Sequence, residues 1–237
     1  MKRTIIITDL TRFKEGNPSV CVAGIDRATG ECFRPMPYLS SVFCRRLKIL
    51  PGGILSGDLE FAPNRTEPHV EDCKLDNLTF HGPCSSDEFR AVLAGSCFPS
   101  LEEGFEISLP HGEKAIPKDH QVKRSIITLR VSPSDVSIVE NTFNPGSIKL
   151  NFRDQSGRGY RYFPITDLGF HDYALKHRDQ DKLVSLNRWI STQAEVYLRI
   201  GLSRNFKNAQ GKEGFWLQGN GIYTFPHAAE GVRGYAS

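Results

Sequence analysis

Apolar positions along this chain mostly alternate over short stretches, the period of half-buried strands rather than helices. Residues 3–8 (RTIIIT) and 19–25 (SVCVAGI) are predicted strands, and residues 31–36 (ECFRPM) return after a turn at 26–30. Gly30 supplies the positive φ that such a hairpin needs, and Pro35 and Pro37 end the pairing because neither donates to a ladder. Residues 49–61 contain two glycine turns and then the alternating strand 58–61, and residues 75–80 form another short apolar segment. A helix is predicted from Ser85 to about Leu93. It has a serine cap, Asp87 and Glu88 in its first turn, and Gly95 as its stop.

Residues 99–124 have no visible period and read as a linker or a long functional loop. Strand patterning then resumes at 125–131, 136–139 and 147–153, turns at 154–159 and returns at 160–165. Residues 179–192 place Leu183, Leu186, Trp189 and Ile190 on one helical face. Residues 195–202 and 215–225 are two closing strands around the polar loop 205–214, and the final dozen residues are expected to be loosely held. The fold class is therefore mainly β with a few short helices. Each half, 1–110 and 111–237, contains strands plus one helix, which suggests two small barrels packed in one module. Thr-Asp-Leu occurs at 8–10 and again at 166–168, too short a match to establish a repeat.

Composition narrows the class without naming a function. The 237 residues are 39% hydrophobic and 24% charged, as expected of a soluble globular chain, and 21 Gly with 14 Pro suit many short elements joined by turns. No apolar run reaches the ~18 residues of a membrane-spanning helix, so no membrane partner is expected. The N-terminus lacks the ~7–15-residue apolar region of a secretory signal, and the expected location is cytoplasmic. Cysteines stand at 21, 32, 44, 73, 84 and 97 with no C-x-x-C pair, a pattern expected of buried reduced thiols. The net charge of +3 hides an asymmetry. Residues 1–110 hold 12 basic and 15 acidic side chains, and residues 111–237 hold 18 and 12. The second half, at +6, is the one suited to phosphate-bearing partners, unless its surface is simply solvated.

Several phrases together carry a family resemblance: ITDLTRF, VCVAGID with TGECFRP, PHVED, and the C-terminal LRIGLSR with FWLQGNGIY. They resemble a little-characterised group of prokaryotic proteins carrying a dual OB-fold domain. The resemblance spans nearly the whole chain. It implies two OB-like β-barrels in one module, but no particular reaction and no catalytic residues.

Three groups of residues carry candidate chemistry. In the second half, Arg153, Arg158, Tyr160, Arg161 and Tyr162 crowd one turn, and Arg199, Arg204, Phe206, Lys207 and Trp216 gather around the last hairpin. Alternation puts Tyr160 and Tyr162 on one strand face and Arg161 on the other. Such rings stack bases while cations track phosphates, so the expected partner is single-stranded nucleic acid or a nucleotide-like ligand. The alternative is rings filling the barrel with arginines at its rim. The second group is His69, Glu71 and Asp72. It is either an acid/base centre of a small enzyme acting on a nucleotide or nucleic acid, or a turn whose carboxylates cap amides. As a metal site it would need further ligands such as His81 or Asp58. No metal or cofactor is expected. The third group is Asp9, Arg12 and Arg34: Arg34 either pairs internally with Asp9 or joins Arg12 in gripping a phosphate. A protein-interaction domain is the remaining alternative. Nucleotide-hydrolysis, dinucleotide and G-x-S-x-G motifs are absent.

Overall fold

The computed structural model describes residues 2–13, 16–142, 144, 146–177 and 180–228. Its first strand, β1 (Lys2–Arg12), runs beyond the predicted six residues because both of its faces are covered. Ile5 and Ile7 enter one apolar cluster with Val22, Phe33 and Leu55, while Ile6 enters another with Phe89, Tyr197 and Tyr223. A strand buried on both faces reads as a continuous apolar run, which is what Ile5-Ile6-Ile7 is.

Next come β2 (Ser19–Asp26) and β3 (Cys32–Met36), joined by a turn in which Asp26 Oδ1 accepts from the amides of Ala28 and Thr29 and Gly30 adopts φ 74°. The short β4 (Leu39–Ser40) leads into α1 (Ser41–Leu47), which Ser40 caps and Lys48 ends in the left-handed region. With seven residues and Cys44 as its buried side chain, α1 shows no apolar period. β5 (Gly53–Phe61) begins five residues before its predicted start, and β6 (Asp72–Pro83) follows. β1 pairs with both β2 and β5, β5 pairs with β6, β6 runs parallel to β3, and β3 pairs with β2. That circuit is a closed five-stranded barrel.

The connecting region holds α2 (Ser86–Gly95), β7 (Cys97–Phe98), α3 (Leu101–Phe105) and β8 (Ala115–Pro117). Ser85 and Glu88 form both bonds of a capping box at the start of α2. The second barrel comprises β9 (Ile126–Val131), β10 (Val136–Glu140), β11 (Ile148–Arg153), β12 (Gly159–Pro164), α4 (Leu168–Lys176), α5 (Gln180–Ser191), β13 (Glu195–Leu202), β14 (Phe206–Lys207) and β15 (Glu213–Phe225). A 3-10 turn at Pro133–Asp135 breaks its first strand into β9 and β10. β10 pairs with β11, β11 with β12, β15 with β13, and β13 with β9. A parallel bridge from Ile165 to Gly219 joins the end of β12 to β15. Both halves therefore follow one path: the third strand lies parallel to the fifth, and a helical connection joins the third strand to the fourth. This is the path of OB-like barrels.

Residues 99–124 are not a bare linker. Leu101 and Phe105 are fully buried in the second core, and β8 pairs with β15. The two Thr-Asp-Leu segments are not equivalent positions of a repeat. One lies within β1, and the other caps α4 through Asp167 Oδ1, which accepts from Phe170 N. The two residues that follow the first segment meet the second in space: Thr11 bridges Asp167, and Arg12 N donates to Thr166 O at 2.8 Å. The predicted helix 179–192 is observed as α5; its predicted first residue, Asp179, and residues 229–237 of the predicted loose tail lie outside the described residues.

Candidate nucleic-acid interface

The hairpin β11–β12 carries one extra residue. Leu150 pairs with Phe163 and Phe152 with Tyr160, so Arg161 and Tyr162 together oppose Asn151. Tyr162 adopts φ 61°, a left-handed conformation costing a bulky residue roughly 1–3 kcal/mol, and its amide donates to Asn151 Oδ1 at 2.7 Å. This bulge overturns the alternation expected at 160–162. Tyr160 turns inward, stacked on Phe152 with ring centroids 5.0 Å apart and edge-on to Phe163, while Arg161 and Tyr162 both face outward.

Beside the bulge lies a cleft of about 670 Å³ whose lining includes Arg153, Arg158, Tyr160, Arg161, Tyr162 and Lys114. Two of its arginines are already engaged. Arg158 donates to Glu102 at 2.6 Å and to the carbonyls of Leu109 and Pro110, tying the hairpin turn to the connecting region. Arg153 donates to Gly157 O at 2.6 Å and stands 3.7 Å from Asp135. Lys114 Nζ lies 5.4 Å from the centre of the Tyr162 ring, which is 46% exposed. Burial lowers the pKa of Lys114; burial, and then the charge of Lys114, lower that of Lys149 on β11. Among the described residues, no ion pair joins a carboxylate to Lys114, Lys149 or Arg161. Sequence reasoning misses Lys114 and Lys149, the first because it sits in an aperiodic stretch. The alternation in SIKLNFR does put Lys149 on the outer face of its strand.

The other predicted residues lie elsewhere. Phe206 and Lys207 are exposed on β14, and Trp216 is half-buried beneath them, its Nε1 donating to Phe206 O at 3.0 Å. Trp216 pairs with Ala115, so this hairpin adjoins the strand that follows Lys114. Arg199 is buried between the barrels and ion-paired to Asp9 at 2.8 Å. Arg34, rather than pairing with Asp9, donates through Nε to Asp72 at 2.7 Å and through Nη1 to Ser125 Oγ at 3.0 Å. Asp72 also accepts Arg204, at 2.8 Å, and the two arginines hold its carboxyl below its usual pKa against the opposing effect of burial. Arg12 does not join Arg34; its guanidinium lies 2.7 Å from His171 Nε2.

The group His69, Glu71 and Asp72 belongs to the same contact between barrels. Glu71 Oε1 accepts from the amides of Ser125 (2.8 Å) and Ile126 (3.2 Å), and Oε2 accepts from Ser125 Oγ at 2.7 Å. His69 is buried edge-on to Phe215. Burial first, then the charges of Arg34 and Arg204, push its pKa down to about 3, so the ring is neutral. These observed contacts are structural. His81 bonds to Ser56 and Asp58 accepts from Asn77, and among the described residues no cluster of three or more His, Cys, Asp or Glu is placed to hold a metal ion. No described helix is long and apolar enough to cross a membrane. Cys21, Cys32, Cys44, Cys73 and Cys97 are thiols whose pKa burial raises, to between about 11 and about 12.

No family model and no curated protein matches this chain. Among the solved structures that align with most of it are two DNA complexes. One is the Ifi202 HINa domain in complex with 20-base-pair double-stranded DNA, at 9% identity and a TM-score of 0.37, covering 93% of this chain and 96% of that one. The other is a murine DNA-binding protein bound to double-stranded DNA, at 8% identity and a TM-score of 0.34, covering 94% and 97%. Likeness this low assigns neither fold nor function, and the strand pairing described above stands on its own.

Proposed function

We propose that the protein is a single-strand nucleic-acid binding module, with the β11–β12 hairpin of the second barrel as its contact surface. The observation that carries this reading is a half-desolvated pair, Lys114 and Lys149, next to Arg161 and an outward Tyr162 ring, with no carboxylate paired to any of the three cations among the described residues. Partly buried cations without an acid are costly unless an anion visits them, and phosphodiesters are such anions. A tyrosine held outward by a left-handed backbone presents a flat face to a base, a contact contributing about 1–3 kcal/mol. Such a face needs an unstacked base, which favours single strands over duplex. The excess of basic side chains in the second half supports the same surface.

The test is fluorescence anisotropy with labelled single-stranded oligonucleotides of about 16 nucleotides, each with its duplex counterpart, across roughly 50–200 mM salt. Affinity should fall steeply with salt and be higher for the single strand. Lys114→Met and Lys149→Met should each reduce the log–log salt slope by about 0.7. No binding at low salt, or affinity unaffected by either substitution, overturns the reading.

A further inference from the structure

A second cleft, of about 510 Å³, opens between the two barrels. The first barrel contributes Phe61 and Arg65 to its wall, and the connecting region contributes Phe98, Lys123 and Arg124. Each ring carries a guanidinium over its face, Arg65 at 4.0 Å from the centre of Phe61 and Arg124 at 4.9 Å from that of Phe98. Phe61 is also stacked on Phe33, with ring centroids 4.4 Å apart, so the flat surface it backs is the guanidinium of Arg65; guanidinium planes stack on planar, electron-rich groups.

The charges of the lining do not cancel. Arg65, Lys123, Arg124 and Arg199 stand against Glu31 and Glu71. Glu71 is saturated by Ser125 and Ile126, and Arg199 by Asp9, so the floor is internally satisfied. The unmatched charge sits at the mouth. Lys123 and Arg124 share Glu106, at 2.6 and 3.1 Å, and Arg65 donates to the carbonyl of Val70 at 3.2 Å with no carboxylate in ion-pair range among the described residues. The volume falls within the ~300–1,000 Å³ of small-ligand sites, and the cleft lies where such sites concentrate, between domains.

We propose that this cleft binds a mononucleotide, its base stacked on the guanidinium planes that Phe61 and Phe98 back and its phosphate monoester on Lys123 and the N–H edge of Arg65. The anionic monoester complements Arg65, Lys123 and Arg124, which outnumber Glu31 and Glu106 at the mouth, and the base accounts for two ring-backed guanidinium planes that a free phosphate would leave unstacked. This ligand and site are separate from the hairpin surface of the second barrel.

Gly95 provides the sharpest test. It lines the cleft at the end of α2, and a β-carbon built there meets no atom within 4 Å, so a larger side chain enters open space. Isothermal titration calorimetry is run on the full chain with the four ribonucleoside 5′-monophosphates, their nucleosides and inorganic phosphate. At least one monophosphate should bind in the micromolar range, and its nucleoside and inorganic phosphate at least ~10-fold more weakly, because each lacks half of the contacts. Gly95→Leu should abolish binding with its thermal midpoint unchanged, and the exposed-rim change Arg65→Gln should weaken it ~10-fold. The proposal is overturned if no monophosphate binds at millimolar concentration. It is equally overturned if inorganic phosphate binds as tightly as the nucleotide, or if both variants retain the original affinity.

Discussion

Arg199 and Asp9, 190 residues apart in sequence, meet at 2.8 Å with both side chains almost wholly buried. Arg199 Nε also donates to Asp9 at 2.9 Å, and Nη1 donates to Thr128 Oγ1 at 2.8 Å. Removing one partner strands a buried charge, so Arg199→Met alone should destabilise by about 3–5 kcal/mol in urea unfolding. The double change Asp9→Leu with Arg199→Met should recover much of that loss, because replacing a buried ion pair with apolar groups is often close to neutral. A double variant no more stable than the single one would show that the pair is needed for more than mutual compensation.

Asp167 lies at the seam between the barrels, and burial raises its pKa to about 7 against the amide bonds from Phe170 and Ile222. Between pH 4 and 7 the folded state holds this proton while the unfolded chain releases it. The contribution of Asp167 to stability is therefore largest at low pH and is lost as pH rises through that window, by ~1.4 kcal/mol per unit. Asp167→Asn keeps an acceptor for the Phe170 amide and should abolish this part of the pH dependence. Urea midpoints of the two proteins at pH 4 and pH 7 measure it; an unchanged difference between them refutes the assignment.

His69 acts in the opposite sense. Its folded pKa of about 3 lies below the ordinary 6.5, so the unfolded chain takes up the proton first as pH falls. Stability from this residue is present above pH 6.5 and is lost on descending toward 3. His69→Leu should thus gain on the parent protein in acid while differing little from its own value at neutral pH.

Tyr162 offers a case where stability and binding should move apart. Tyr162→Gly relieves the φ of 61° and should raise stability by about 1 kcal/mol in thermal unfolding. The same change removes the exposed ring and should weaken oligonucleotide binding by about 1–3 kcal/mol. Equal affinity in the two proteins would exclude this ring from the contact surface.

Gly214 sits where β15 passes β8, and a β-carbon there would collide with the carbonyl oxygen of Ile116, a backbone atom that cannot swing aside. Gly214→Ala should push β8 off the sheet and carry Lys114 with it. Oligonucleotide affinity should then fall as far as in Lys114→Met, accompanied by a loss of stability that Lys114→Met itself does not produce.

The strands are legible in the sequence because their alternation or apolar runs are strong, and α5 because Leu183, Leu186 and Ile190 bury one face. α1 and α4 are too short to establish a period and leave no such mark. The turn at 154–159 stands where its glycines place it, yet one unpaired residue beyond it reverses the direction of Tyr162. Pairwise spacing within a strand carries no mark of a bulge. Arg199 alternates with apolar neighbours in EVYLRIGL as a surface residue would, but every residue of β13 is buried. What covers its polar face is the other barrel, and that information is spread across residues 190 positions away. The pairing of Arg34 with Asp72 follows from the parallel register of β3 and β6, which the sequence does not display, and the second arginine on Asp72, Arg204, comes from the other half.

The network of Asp9, Arg34, Glu71, Asp72, Arg199 and Arg204 contains three acids and three arginines, but the halves contribute unequally. The first half supplies three carboxylates and Arg34, and the second supplies Arg199 and Arg204. Two charges of each half's imbalance are consumed there, leaving about −1 on the first half and +4 on the second from totals of −3 and +6. The polarity of the chain thus serves two ends, one of them self-recognition: the halves behave as oppositely charged partners in an intramolecular complex. Residues 84–125 act as the tether between them. By holding both faces at high effective concentration, such a tether lets a contact rich in ion pairs close without the large apolar area that two separate chains would require.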